Sequence, residues 1–190
     1  MSEKGVLLAN PAPLGLAGFG MTTVLLNLAN MGLFGINSII VAMGLFYGGL
    51  AQIIAGIMEF KKGNTFGTLA FTSYGLFWLT LVFIIISSVE RPAVSPDNTA
   101  WAAYLFMWGL FTLMMFFGTL RTNRALQTVF LSLAILFFLL AASHFLPQLQ
   151  LLAGVVGVFC GFSAFYLSLA EVLNEAHGHT VLPVGPMKAD

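Results

Sequence analysis

The chain has 190 residues, 59% of them hydrophobic and only 7% charged, with seven basic and seven acidic side chains and no formal net charge. A soluble domain carries about a quarter charged residues, so a chain of this size cannot clothe a water-facing surface, and its solvent is largely lipid. The balanced charge excludes nucleic-acid-binding electrostatics, and the lone Cys160 excludes an internal disulfide or a cysteine zinc cluster.

The N-terminus, MSEKGVLLANPAP, has a short apolar patch broken by prolines and lacks the layout of a signal peptide, so the chain is expected to be retained whole. Charge gaps then map the rest. No charged residue falls between Lys4 and Glu59, Lys62 and Glu90, Asp97 and Arg121, or Arg124 and Glu171. A crossing takes about 20 helical residues, so the first and last gaps each hold two spans and the middle two hold one each. The expected fold is an all-α integral membrane protein with six transmembrane helices, over residues 14–31, 37–60, 66–88, 100–120, 125–145 and 149–173. The turns NMGLFGIN and SHFLPQ divide the two long gaps. Runs such as AILFFLLAA lack the alternation of a membrane β-barrel.

Orientation follows from Lys and Arg. Lys4, Lys61, Lys62, Arg121, Arg124 and Lys188 fall on the side of both termini, against Arg91 alone on the other. Residues 1–13 and 174–190 are therefore expected to be cytoplasmic, flanking a membrane domain at 14–173. The segment SSVERPAVSPDNTAW is expected outside, with Trp101 as an interfacial anchor.

Small residues recur at helical spacing. Gly44-xxx-Gly48 and Gly157-xxx-Gly161 permit close backbone approach, either within one subunit or between subunits. GGLAQIIAGIME and CGFSAFYLSLAE each place a glycine ten residues before a glutamate, a weak echo of a repeated hairpin.

Polar residues inside the spans point toward function. The first span holds Thr22, Thr23 and Asn27, the third Thr72, Ser73 and Tyr74, and the second Tyr47 and Gln52. A single Thr commonly bonds back to its own helix, but two clusters suggest a shared polar lining. The spans hold no Lys, Arg or Asp, and Glu59 and Glu171 fall near the cytoplasmic ends of their helices. No nucleophile triad, paired-carboxylate cleft or phosphate loop can be assembled, and His177 and His179 are too isolated for a metal site. The expectation is a channel or transporter for a small solute, with no enzyme activity, cofactor or metal.

The stretch Asn10 to Thr23 reads NPAPLGLAGFGMTT. Asn10 is placed to cap a helix, with Pro11 at its first position and Pro13 still in the first turn. Gly15, Gly18 and Gly20 are expected to loosen and thin the helix around Phe19, and a helix start of this kind attracts a small anion. The alternative is an interfacial cap with glycines for packing.

This stretch resembles the signature of the acetate uptake transporter family, which includes bacterial succinate–acetate permeases and fungal acetate and ammonium-export proteins. The resemblance continues through FYGGLAQIIAGIMEFKKGNTFGTLAFTSYGLFWLTL, MFFGTLR and AEVLNE to HTVLP, nearly the whole chain. It implies a six-helix protomer in a homo-hexameric ring in the cell (inner) membrane. Each protomer would hold its own path for acetate, with a hydrophobic constriction at Phe19, Tyr74 and Leu133. Ala29 stands where bacterial relatives often carry a histidine, which removes a titratable group near the outer end of the first span. The expected cargo is acetate, and succinate, carried with protons. A passive channel for acetate or for neutral solutes such as urea or amides is the alternative, and a non-transporting scaffold is a third reading. Glu59 and Glu171 are candidates for proton release at the cytoplasmic mouth, with pairing of Glu59 to Lys61 or Lys62 as the plainer account.

Overall fold

A computed structural model describes residues 8–187. Lys4 and Lys188, and with them parts of the two terminal segments, lie outside the described residues. Six helices are long and apolar enough to cross a membrane. They are α1 (Ala12–Asn30), α2 (Ser38–Lys62), α3 (Thr65–Glu90), α4 (Asn98–Gly118), α5 (Arg124–Ser143) and α6 (Leu149–His177).

Short polar side chains start four of these helices. The side-chain oxygens of Asn37, Asn64, Asp97 and Asn123 accept backbone N–H groups of the first turns of α2, α3, α4 and α5, at 2.7–3.0 Å for the shortest bond of each. Gly63 and Gly178 end α2 and α6 in the left-handed conformation, at φ 80° and 68°.

The first helix departs from expectation. Pro11 occupies its N-cap position without a side-chain cap, and Asn10 Oδ1 accepts only a long bond from the Ala12 N–H, at 3.3 Å. The helix then runs unbroken to Asn30 through all three glycines. Each glycine is a contact point rather than a loosened turn. A Cβ on Gly15 would enter the Phe71 ring, one on Gly18 would strike the Tyr47 carbonyl, and one on Gly20 would stand 2.6 Å from the Gly161 carbonyl.

The backbone irregularity lies in α2 instead, where Met43–Ala51 forms a π-helix. Its buried Gly44, Gly48 and Gly49 leave room for Val82, Trp78 and Leu79 of α3. Thr22 of α1 donates its hydroxyl to the Met43 carbonyl at the start of the widened segment, at 3.4 Å.

The helices form an arc in the spatial order α4, α5, α6, α1, α2, α3, with α1 and α6 the most extensively packed pair. Reciprocal close approach explains that pair: Gly161 faces the Gly20 carbonyl, Gly157 faces the Asn27 side chain and Gly154 faces Met31. Both small-residue motifs thus pack inside one chain. The two ends of the arc, α3 and α4, have almost no close backbone approach and meet chiefly through side chains.

After α6 the chain folds back. Asn174 accepts from the Val181 and Leu182 N–H groups at 2.7 and 3.0 Å and donates to the Leu182 carbonyl at 2.9 Å. Residues 184–187 then pair with the α4–α5 turn. Arg124 and Ala125 N–H donate to the Gly185 and Val184 carbonyls, and Met187 N–H donates to Thr122.

Candidate functional site

Six helices around an open arc leave a space between them. A cavity of about 290 Å³ runs from the end of the bundle that carries the α2–α3 and α4–α5 turns toward its middle. Asn64, Thr122, Asn123 and Glu171 line its mouth. Farther in, the wall is apolar, built by Leu16, Phe71, Val129 and Phe130, with Gln52 the one amide contributed by α2.

Phe19, Tyr74 and Leu133 line the same cavity and are 5%, 3% and 3% exposed. Three helices, α1, α3 and α5, therefore bring this trio together. The Phe19 and Tyr74 rings stand 6.0 Å apart, and Phe130 meets Tyr74 edge-on at 6.0 Å. Thr112 of α4 receives the Tyr74 hydroxyl at 2.9 Å and itself donates to the Trp108 carbonyl at 2.7 Å. The hydroxyl is engaged, and the ring is what Tyr74 offers the cavity.

Beyond the trio the interior is closed by aromatic packing. Phe77 meets Trp108 at 5.1 Å and Phe137 at 5.2 Å, and lies nearly parallel to Tyr104 at 5.9 Å.

The hydroxyls expected along the path are elsewhere. Thr22, Thr23, Asn27, Thr72 and Ser73 are not on this cavity's wall. Thr22 is taken by the π-helix, and Asn27 donates to the Thr23 carbonyl at 2.9 Å while lying against Gly157. Thr72 fills the notch at Gly56, and Ser73 is half-buried beside it on α3. Thr22 satisfies its hydroxyl on a neighbouring carbonyl, whereas the buried Thr23 Oγ1 has no hydrogen-bond partner among the described residues.

The two glutamates stand at the mouth end, each held by an asparagine. Asn64 Nδ2 donates to Glu59 Oε2 at 2.7 Å, and Asn10 Nδ2 donates to Glu171 Oε2 at 2.8 Å. Lys62 donates to Asn10 Oδ1 at 3.0 Å, so the lysine joins the Asn10–Glu171 pair. The bond that holds Glu59 comes from Asn64, in place of the expected Lys61 or Lys62. Asn10 thereby acts as a tie between the starts and ends of three helices rather than as a simple cap. Glu59 is 1% exposed, and among the described residues its Oε1 has no partner; Gln52 Oε1, also 1% exposed, has none there either. No group of three or more metal-ligating side chains exists among the described residues.

Thr112 and the Phe66, Phe71 and Phe130 wall carry no distinguishing signal in sequence. They are one threonine among several and three of 19 phenylalanines.

Comparison with known proteins decides what kind of bundle this is. Residues 3–189 match the GPR1/FUN34/yaaH family. The chain belongs to that family. It is 57% identical over 180 residues to the succinate-acetate/proton symporter SatP of Escherichia coli K12, covering 94% of this chain and 96% of the relative. Acetate permease A of Emericella nidulans is 33% identical over 93% of this chain and 65% of its own length. Among solved structures, the bacterial acetate channel SatP matches with a TM-score of 0.92 at 57% identity, over 94% of this chain and 100% of that one. These relatives are named as a symporter, a permease and a channel, none of them an enzyme, and the six-helix architecture is common to this chain and the solved structure.

Proposed function

We propose that this chain moves acetate across the membrane together with a proton, through the cavity that ends at Phe19, Tyr74 and Leu133. One observation carries the reading: the cavity keeps its one charged group near the mouth, and its inner end is aromatic and aliphatic apart from the Gln52 amide. A small carboxylic acid has a pKa of roughly 4–5, so protonating it at pH 7 costs roughly 3–4 kcal/mol. Stripping water from the bare anion costs several kcal/mol even after relaxation. Among the described residues no cation lines the inner end to offset that second cost, so the neutral acid is the form that passes.

In this reading the mouth opens to the cytoplasm, as the Lys and Arg bias expects, and Glu59 and Glu171 take up the released proton there. Phe19, Tyr74 and Leu133 exclude water and wide solutes. Succinate is the harder cargo, since a second carboxyl has to enter the same apolar end. A hexameric ring with one path per protomer belongs to the same proposal, supported by the family resemblance and tested by the mass of the detergent-solubilised protein.

A passive acetate channel is the second reading, favoured by the name of the solved relative. Labelled acetate uptake into liposomes under an inward proton gradient separates the two. Protein-dependent accumulation above the passive distribution, abolished by an uncoupler, establishes symport. Flux that only hastens the passive distribution means a channel, and no flux above protein-free liposomes refutes transport of acetate.

A further inference from the structure

Five of the six joints around the arc are made by closely packed helix backbones, and the joint between α3 and α4 is not. Two hydrogen bonds between hydroxyls span it, each linking a tyrosine to a threonine and running in opposite senses. Tyr74 of α3 reaches Thr112 of α4 at 2.9 Å, and Tyr104 of α4 reaches Thr80 of α3 at 2.9 Å. At 1.5 Å rise per residue, the six residues from Tyr74 to Thr80 put the second bond about 9 Å farther along α3, on the side away from the cavity mouth.

The two bonds have different surroundings. Tyr74 is 3% exposed, enclosed by Phe19, Trp108, Phe111 and Phe130, and Thr112 is fully buried. Tyr104 is half-buried and Thr80 is exposed, with one face of the Tyr104 ring lying on Phe77. A side-chain contact at an exposed seam breaks more readily than one packed on all sides, since water or lipid occupies the vacated space without leaving a void.

We propose that the seam between α3 and α4 is the moving joint of the transport cycle, pivoting at Tyr74–Thr112 and latched shut in its outer half by Tyr104–Thr80. This rests on the transport reading above. In the present state the cavity is open at its mouth, and the aromatic layer at Phe77 closes the interior beyond the trio. Parting the outer seam withdraws Tyr104 from Phe77 and opens that layer.

Tyr104→Phe removes the latch bond together with the long donation of the same hydroxyl to the Phe77 carbonyl at 3.5 Å, Thr80→Val removes the latch bond together with the Thr80 hydroxyl's own bond to that carbonyl, and both keep side-chain volume. One neutral hydrogen bond corresponds to about a 2- to 12-fold change in the opening equilibrium. Acetate uptake should rise within that range in each variant. The double variant should rise no further, and Thr80→Ser should behave as the original chain. Equal rates in all five proteins, or falls that simply add, would overturn the latch.

The joint is read separately, without acetate, from the distance between spin labels on cysteines replacing Phe83 and Met107, both exposed, on α3 and α4. The native Cys160 is buried and stays unlabelled. A second, longer distance that gains weight in Thr80→Val supports the moving seam even if the cargo proves not to be acetate. A single distance unchanged by Thr80→Val refutes it.

Discussion

Gly20→Ala tests the close crossing of α1 and α6 and its link to the cavity. A Cβ at Gly20 would lie 2.6 Å from the Gly161 carbonyl and 2.8 Å from the Phe165 backbone nitrogen. Both obstacles are backbone, so no rotamer change relieves them. Ordinary contact begins near 3.4 Å, and α1 and α6 must separate by roughly 0.8 Å along this line. Overpacking of this kind costs about 1–3 kcal/mol. In lipid that loss falls on the packing that holds helices together, since no hydrophobic force between them replaces it. Gly161→Ala meets the same obstacle from the other side, at 2.7 Å from the Gly20 carbonyl. Once either substitution has moved the helices apart, the second should cost much less than the first. Thermal unfolding of the purified protein in mild detergent should show a clear fall for each single variant and a double variant well short of their sum. Phe19 neighbours Gly20 on α1, so acetate uptake should change in the same variants as the ring shifts relative to Tyr74. Unchanged stability in both single variants, or full additivity in the double, would refute the crossing geometry.

Leu133→Ala should broaden the range of solutes carried, or raise the rate, because it removes most of one member of the apolar trio; unchanged rate and selectivity would take it out of the constriction. Glu59→Gln keeps an acceptor for Asn64 and removes the charge, so uptake should lose part of its pH dependence if Glu59 receives the proton; a fully retained pH profile assigns it to structure. Asn174→Ala removes three hydrogen bonds that fold the tail against the α4–α5 turn, and should raise protease cleavage within residues 181–187 while Asn174→Asp, which keeps both acceptor bonds, should lie between. His144 is partly buried, stacked on Trp101 at 5.9 Å, and this desolvation lowers its pKa below the usual histidine value. The folded state therefore favours the neutral ring: the stability it contributes is full above the unfolded value and is lost as pH falls through the lowered one. His144→Gln should flatten the acid-side decline in melting temperature, and an identical decline would show that other groups cause it.

The spans were legible in the chain because lipid imposes a simple rule: about 20 uncharged residues per crossing, with every backbone group bonded inside the helix. Charge gaps therefore marked the helices to within a few residues, and the family motif named Phe19, Tyr74 and Leu133 as a set. Tertiary structure decided what composition leaves degenerate. Thr22, Thr72 and Thr112 are alike in sequence, yet the first two face neighbouring backbone and only the third meets Tyr74. The glycines of α1 serve contact with Tyr47, Phe71 and Gly161, and the irregular turn lies in α2, where Trp78, Leu79 and Val82 pack on its glycines. Likewise Glu59 finds Asn64 instead of a lysine, since a buried carboxylate is held by whichever donor the fold brings within reach. A sequence states which groups must be satisfied; which partner satisfies them depends on helices distant in the chain meeting face to face.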